Sequence, residues 1–158
     1  MSDQIPYSPP PSVEAAGPSG LTTLEKADLI RGVEVFSQAT VEELYRLGSI
    51  AKVVGFPAEA VILRQNDAAT AFYIVVRGQV ELITQGSGVH EVVGPGQPVG
   101  LYSVLTQEPS SARVIALEDT VAIGIGAEDF FGLLSNNMEI VASTFKYFAK
   151  KLGLGRRT

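Results

Sequence analysis

The stretch from Val99 to Val114, VGLYSVLTQEPSSARV, has the residue types and spacing of a loop that cradles an anion. A glycine precedes a short apolar turn of helix, then a proline and small residues follow. Backbone N–H groups after Gly100, with the Ser110 and Ser111 hydroxyls, would hold an anion weakly. A firm site needs more, because one buried negative charge requires a cation and not amide dipoles alone. No Lys or Arg occurs in the stretch before Arg113, and its one earlier charge is the negative Glu108. Arg113 lies three residues past Ser110 on a predicted strand, so alternation turns its side chain to the opposite face. The candidate site residues are therefore Gly100, Leu101, Tyr102, Ser103, Ser110, Ser111 and Ala112: the frame of an anion site without its cation.

Other chemistry is sparse. The chain has no cysteine, which excludes disulfides, thiolate metal ligation and a cysteine nucleophile. His90 is the single histidine, so there is no histidine pair for a metal, and its alternating neighbours make it a solvated strand residue. Glu42 and Glu43 suit a helix cap and helix face, and Glu128 and Asp129 suit a helix first turn. Neither G-x-G-x-x-G nor G-x-x-x-x-G-K-[ST] is present. These residues form no catalytic constellation, and the expectation is a non-enzymatic protein with no cofactor and no metal.

Charge narrows the partners. The net charge is −5, yet five of the 12 basic residues fall in the last 13 positions, so residues 1–145 carry 7 basic against 17 acidic groups, a formal −10. An acidic body repels nucleic-acid phosphate. The basic end also suits a helix C-terminus through the macrodipole. The first 20 residues lack a basic and an apolar secretory region, and no apolar run approaches the roughly 20 residues that span a bilayer. A cytoplasmic location follows as an expectation, with membrane contact only peripheral if any.

The elements that must position the candidate site can be read from periodicity. Residues 1–20 hold five prolines among Ser and Gly, and read as a flexible tail that cannot bury enough apolar area to order itself. Leu24, Ala27, Leu29 and Ile30 then recur at helical spacing after Thr22 or Thr23. Thr40 with Glu43 forms a capping box ahead of a Val41, Leu44, Leu47, Ile50 stripe. From Val53 to Ile125 the period becomes two, with turn clusters QND, RGQ, QGSG and GPGQP between short β-branched runs. Helical spacing returns with a short helix carrying Phe131 and Leu134. A longer one carries Ile140, Val141, Phe145, Phe148 and Leu152, with Phe145 and Phe148 expected against the barrel. The domain is bounded as 21–152 with 153–158 as a basic tail, and KYFAKKLGLGRRT is too short to supply a helix-turn-helix.

In this order the segments resemble the cyclic-nucleotide-binding domain family. VEVFSQATVEELYRLGSIAKVVGFPAEAVILRQND is similar to the family opening, and FYIVVRGQVELI to its central strand pair with Gly78 at the corner. VVGPGQPVG is similar to the approach to its phosphate loop, with Gly96 and Gly100 in place. The resemblance implies a mainly β fold: an antiparallel β-barrel or jelly roll with N-terminal helices and a C-terminal helix. It also implies that a Glu directly after the loop glycine accepts a ribose hydroxyl, and that an Arg about ten residues on meets the cyclic phosphate. Here those positions hold Leu101 and Ser110, or Ser111 under the longer spacing. Two lost charge-assisted contacts, at about 1.5–3 kcal/mol each, remove on the order of 10²–10⁴ in affinity.

The resulting expectation is a regulatory or accessory module that works through a protein partner or larger complex, holding cyclic nucleotide weakly or not at all. The alternative is a small-molecule sensor whose pocket, lined by Leu101 and Tyr102, takes a cyclic nucleotide or a less charged ligand. For the Pro-rich start, amide exchange near the unprotected rate over residues 1–20 is the expected outcome, and strong protection in a monomeric sample would contradict it.

Overall fold

The computed structural model describes residues 20–84, 86, 88, 90–110 and 112–153. The Pro-rich residues 1–19, Ser111 and the basic end 154–158 lie outside the described residues.

Two capping boxes start the helical lead-in. In α1 (Thr23–Arg31) the Glu25 N–H donates to Thr22 Oγ1 at 3.1 Å while Thr22 N–H donates to the Glu25 carboxylate at 2.8 Å. Thr40 and Glu43 repeat the arrangement at α2 (Val41–Ile50). Each box satisfies two amides that a helix start would leave orphaned. Only half of each predicted stripe is buried: Ala27 and Ile30 in α1, Leu44 and Leu47 in α2. Leu24, Val41 and Ile50 remain exposed, because one helix face suffices to cover the sheet below. A single 3₁₀ turn, Glu34–Phe36, joins the two helices and buries Val35 and Phe36.

Among the described residues, eight antiparallel strands follow as two four-stranded sheets. They are β1 (Lys52–Phe56), β2 (Val61–Leu63), β3 (Ala71–Arg77), β4 (Val80–Thr84), β5 (His90–Val93), β6 (Pro98–Val99), β7 (Ala112–Ala116) and β8 (Thr120–Gly126). The strand orders are β1-β8-β3-β6 and β2-β7-β4-β5. Between β6 and β7 lies the short helix α3 (Leu101–Thr106), and after β8 come α4 (Ala127–Leu134) and α5 (Met138–Leu152).

Alternation along β3 and β8 creates two cores. Val75 and Ala122 point between the sheets, where they meet Phe56, Val80, Val99 and Val114. Phe72, Ile74, Ile123 and Ile125 point the other way and pack under the helices with Phe36, Leu47 and Phe130. Three phenylalanines lock that outer layer, with Phe72–Phe130 ring centroids 5.0 Å apart and Phe36–Phe130 5.8 Å apart, both edge-on. In α4 the fully buried anchors are Phe130 and Leu133, with Phe131 and Leu134 at the margin.

The long helix departs from expectation. Its barrel-facing residues are Ile140, Ser143 and Thr144, whereas Phe145 is 73% exposed. Phe148 is half-buried, with its ring edge-on to Tyr102 at 5.9 Å. Phe145 therefore does not pack on the barrel. The period of 3.6 residues that turns Ile140 and Thr144 inward carries position 145 to the side. Two ion pairs anchor the C-terminal end of this helix, Lys150 to Glu34 at 2.8 Å and Lys151 to Glu91 at 3.6 Å.

The β3–β4 corner depends on Gly78. Its φ is +99°, and a Cβ there would lie 2.6 Å from Thr120 Oγ1 and 2.7 Å from the Asp119 carbonyl oxygen. Gly78→Ala is expected to cost about 1–3 kcal/mol or more of stability, read as a lower urea midpoint with an unchanged slope.

Candidate ligand site

Position and sequence fix the loop after β6. Val99 pairs with Tyr73, which places Gly100 at the edge of the β3 sheet. Gly100 turns the chain at φ +88°, where a Cβ would sit 3.0 Å from Leu63 Cδ1. Helix α3 starts at once, with Val104 N–H donating to Gly100 O at 3.1 Å, and ends at Gln107, itself left-handed at φ +58°. The segment then returns to the barrel through Ser110.

Ser110 is held on both sides. Its N–H donates to Asp67 O at 3.0 Å, and its carbonyl accepts from Asn66 N–H at 2.7 Å. Its side chain is occupied as well: Oγ donates to Ala112 O at 2.7 Å and accepts from Ala112 N–H at 3.2 Å. The residue is 5% exposed. The hydroxyl expected to help hold an anion is thus satisfied by the first residue of β7. Ser111 lies outside the described residues.

Leu101 and Tyr102 face different surroundings. Leu101 is buried in the cluster beneath the helices, with Phe72, Ile74 and Val104 in that cluster, and not among the side chains between the sheets. Tyr102 is 60% exposed and leans on Phe148 of α5. Ser103 is buried on α3. Arg113 is exposed, while its neighbours Val114 and Ala116 face the barrel interior, so no guanidinium enters from β7. Leu101, Ser103 and Ser110 are thus turned to packing.

The interior residue that the sequence analysis missed is Tyr73. Its ring meets Phe56 edge-on at 5.5 Å, and it belongs to the cluster between the sheets with Val54, Leu63 and Leu82 at the margin. Burial raises its phenol above the usual tyrosine range, so it stays neutral at physiological pH. The alternation in AFYIVV, which opposes Phe72 and Ile74 to Tyr73 and Val75, was the available signal. His90 sits on the outer face, 2.9 Å from Glu81. Among the described residues no group of three His, Asp or Glu side chains is placed to hold a metal, and no helix is long and apolar enough to cross a membrane.

The family model for the cyclic nucleotide-binding domain matches residues 53–137, more than half of the chain. The chain belongs to this family. Among solved structures, the Thermus thermophilus catabolite activator protein is similar to this cyclic nucleotide-binding domain at a TM-score of 0.67 and 26% identity, over 78% of this chain and 60% of that one. The sensor domain of the regulator DNR from Pseudomonas aeruginosa shares the fold at a TM-score of 0.72 and 16% identity, over 85% of this chain and 93% of that one. Among curated relatives, the potassium channel AKT1 of Oryza sativa subsp. indica is 28% identical over 113 residues, 70% of this chain and 12% of the channel. The cyclic AMP receptor protein of Thermus thermophilus is 32% identical over 83 residues, 50% of this chain and 38% of the receptor. This cyclic nucleotide-binding domain thus spans a minor part of the curated relatives it matches.

Leu101→Glu would place a carboxylate in the helical-layer core. The expected loss is about 3 kcal/mol or more, from lost packing and unpaired burial together. Thermal melts with and without excess cAMP check this, and the same loss is expected in both.

Proposed function

We propose that this domain is a non-enzymatic regulatory or accessory module that acts through protein contacts and holds cAMP or cGMP weakly or not at all. One observation carries the reading. At the two positions where the family resemblance calls for an acceptor and a cation, the chain has a leucine buried in its own core and a serine hydroxyl bonded to its own backbone. Neither group is free to engage a nucleotide without breaking a contact that stabilises the fold. Relatives named as a potassium channel and a cyclic AMP receptor protein support a regulatory setting, in which such a domain conveys a state to other segments or partners.

A second reading, a small-molecule sensor, is favoured by the apolar groove of about 380 Å³ between α3 and α5, which Tyr102, Leu105, Leu134 and Phe148 line. That lining suits a small neutral ligand better than a phosphate.

Titration calorimetry separates these readings from ordinary nucleotide sensing. For cAMP and cGMP the expected dissociation constants are weaker than about 100 μM. Low-micromolar binding of either nucleotide would overturn the proposal. A neutral small molecule that co-purifies with the native protein and raises its melting temperature would favour the second reading.

A further inference from the structure

We propose that the groove between α3 and α5 is a binding site for a small uncharged molecule built on an aromatic ring, held between Tyr102 and Phe145. The proposal rests on the sensor reading of this groove and adds the chemical class of its ligand. About 380 Å³ of space is bounded by side chains of three helices, Leu134 coming from α4. That lies at the lower end of the range that takes small ligands. None of its lining residues belongs to the cluster between the sheets, so the site is separate from the barrel interior.

The lining decides the charge of the occupant. Among the described residues no Lys, Arg, His, Asp or Glu borders the groove. Its two threonines have no hydroxyl proton to offer, since Thr106 donates to Tyr102 O at 3.0 Å and Thr144 to Ile140 O at 2.8 Å. A charged group drawn into the groove would therefore be stranded. Shape decides the size. Helix α3 has six residues, about 9 Å of length, and this shorter wall bounds the groove. One or two fused rings fit that length, whereas a helix of another protein would overrun it.

The walls favour an aromatic occupant over an aliphatic one. Leu105, Leu134 and Val141 are half-buried and Thr144 is buried, so these form the floor. Tyr102 and Phe145 stand at the mouth, 60% and 73% exposed, one ring from each helix. Phe148 supports the Tyr102 ring edge-on, with centroids 5.9 Å apart and planes at 71°. A flat ring on the aliphatic floor meets both mouth rings at once, in the offset and edge-on arrangements that aromatic pairs prefer. A flexible alkyl chain would bury similar apolar area, yet it would lose more internal freedom on entry and gain no ring contacts. Phe145, which does not pack on the barrel, acquires a partner in this way.

Fluorescence titration of the full chain with N-phenyl-1-naphthylamine, a neutral aromatic probe, tests the assignment. Saturable binding of about one probe per chain is expected, with a dissociation constant of about 1–50 μM, and 2-naphthol should displace it. Naphthalene-2-sulfonate, which carries a charge on the same rings, should bind at least about tenfold more weakly. Phe145→Ala should weaken probe binding about tenfold, because it removes one wall from an exposed position. Val141→Trp, which fills the floor, should weaken it at least as much, and far-UV circular dichroism should be unchanged for both variants. If 1-decanol displaces the probe at lower concentration than 2-naphthol does, the aromatic class is wrong while the sensor reading stands. If neither the probe, 2-naphthol nor 1-decanol binds saturably, both fall together. Binding that survives both substitutions and is lost with Tyr45→Ala, in the exposed apolar patch of α1 and α2, also overturns the proposal.

Discussion

The pairing of β3 with β8 is the constraint on which the rest of this molecule depends. These two strands lie side by side in the middle of one sheet, and both of their faces are buried. A sheet of that kind requires two covers. The second sheet provides one, closing over Val75 and Ala122. The other must come from outside the barrel, because Phe72, Ile74, Ile123 and Ile125 would otherwise face water, at about 1.5–3 kcal/mol for each large side chain. The helices before and after the strands exist as a layer for this reason, and Phe36 and Phe130 bring the two ends of the chain to the same patch.

That layering also explains what became of the loop after Gly100. Helix α3 runs along the edge of the same sheet, so each of its side chains faces either the helical layer, the barrel or solvent. Leu101 joins the layer and Tyr102 reaches α5. An ionised acceptor at position 101 would be tolerated only if a ligand or solvent met it, and a leucine removes that demand. Likewise a serine at 110 closes a short hydrogen-bonded turn onto Ala112, where a long cationic side chain would have to be matched by an anion. Selective binding of a charged ligand and self-sufficient packing are competing uses of one loop, and Leu101 and Ser110 serve the packing.

Much of the fold was legible because its signals are local. Both capping boxes, the change from helical to alternating period near residue 53, and the glycine corner at Gly78 are written in contiguous residues. That positions 101 and 110 hold a leucine and a serine is likewise plain in the sequence, since an absence of charge in a loop requires no coordinates. What could not be read is where apolar side chains go when more than one apolar surface competes for them. Leu101, read as bordering a pocket, is buried in the helical-layer core. Phe145 was read as core and stands in solvent. Val41 fits its helical stripe and yet is exposed. Periodicity defines which residues share a face, but only the packed neighbours decide which face is covered, and Tyr73 shows the converse, an interior side chain hidden in an unremarked alternation.

The ion pair between Glu34 and Lys150 links residues 116 apart in sequence, and the strand pairings between them are nearly all long-range, as Lys52 opposite Gly124 illustrates. The barrel is therefore a loop of chain whose entrance and exit touch. Such a topology places the cost of loop closure early, so folding should be slow for a domain of this size, and the last helix docks on the 3₁₀ turn and α4 that the strands bring together. A segment joined after α5 would leave from beside the 3₁₀ turn at Glu34–Phe36, so a shift of that helix would be felt in the lead-in without any change in the barrel.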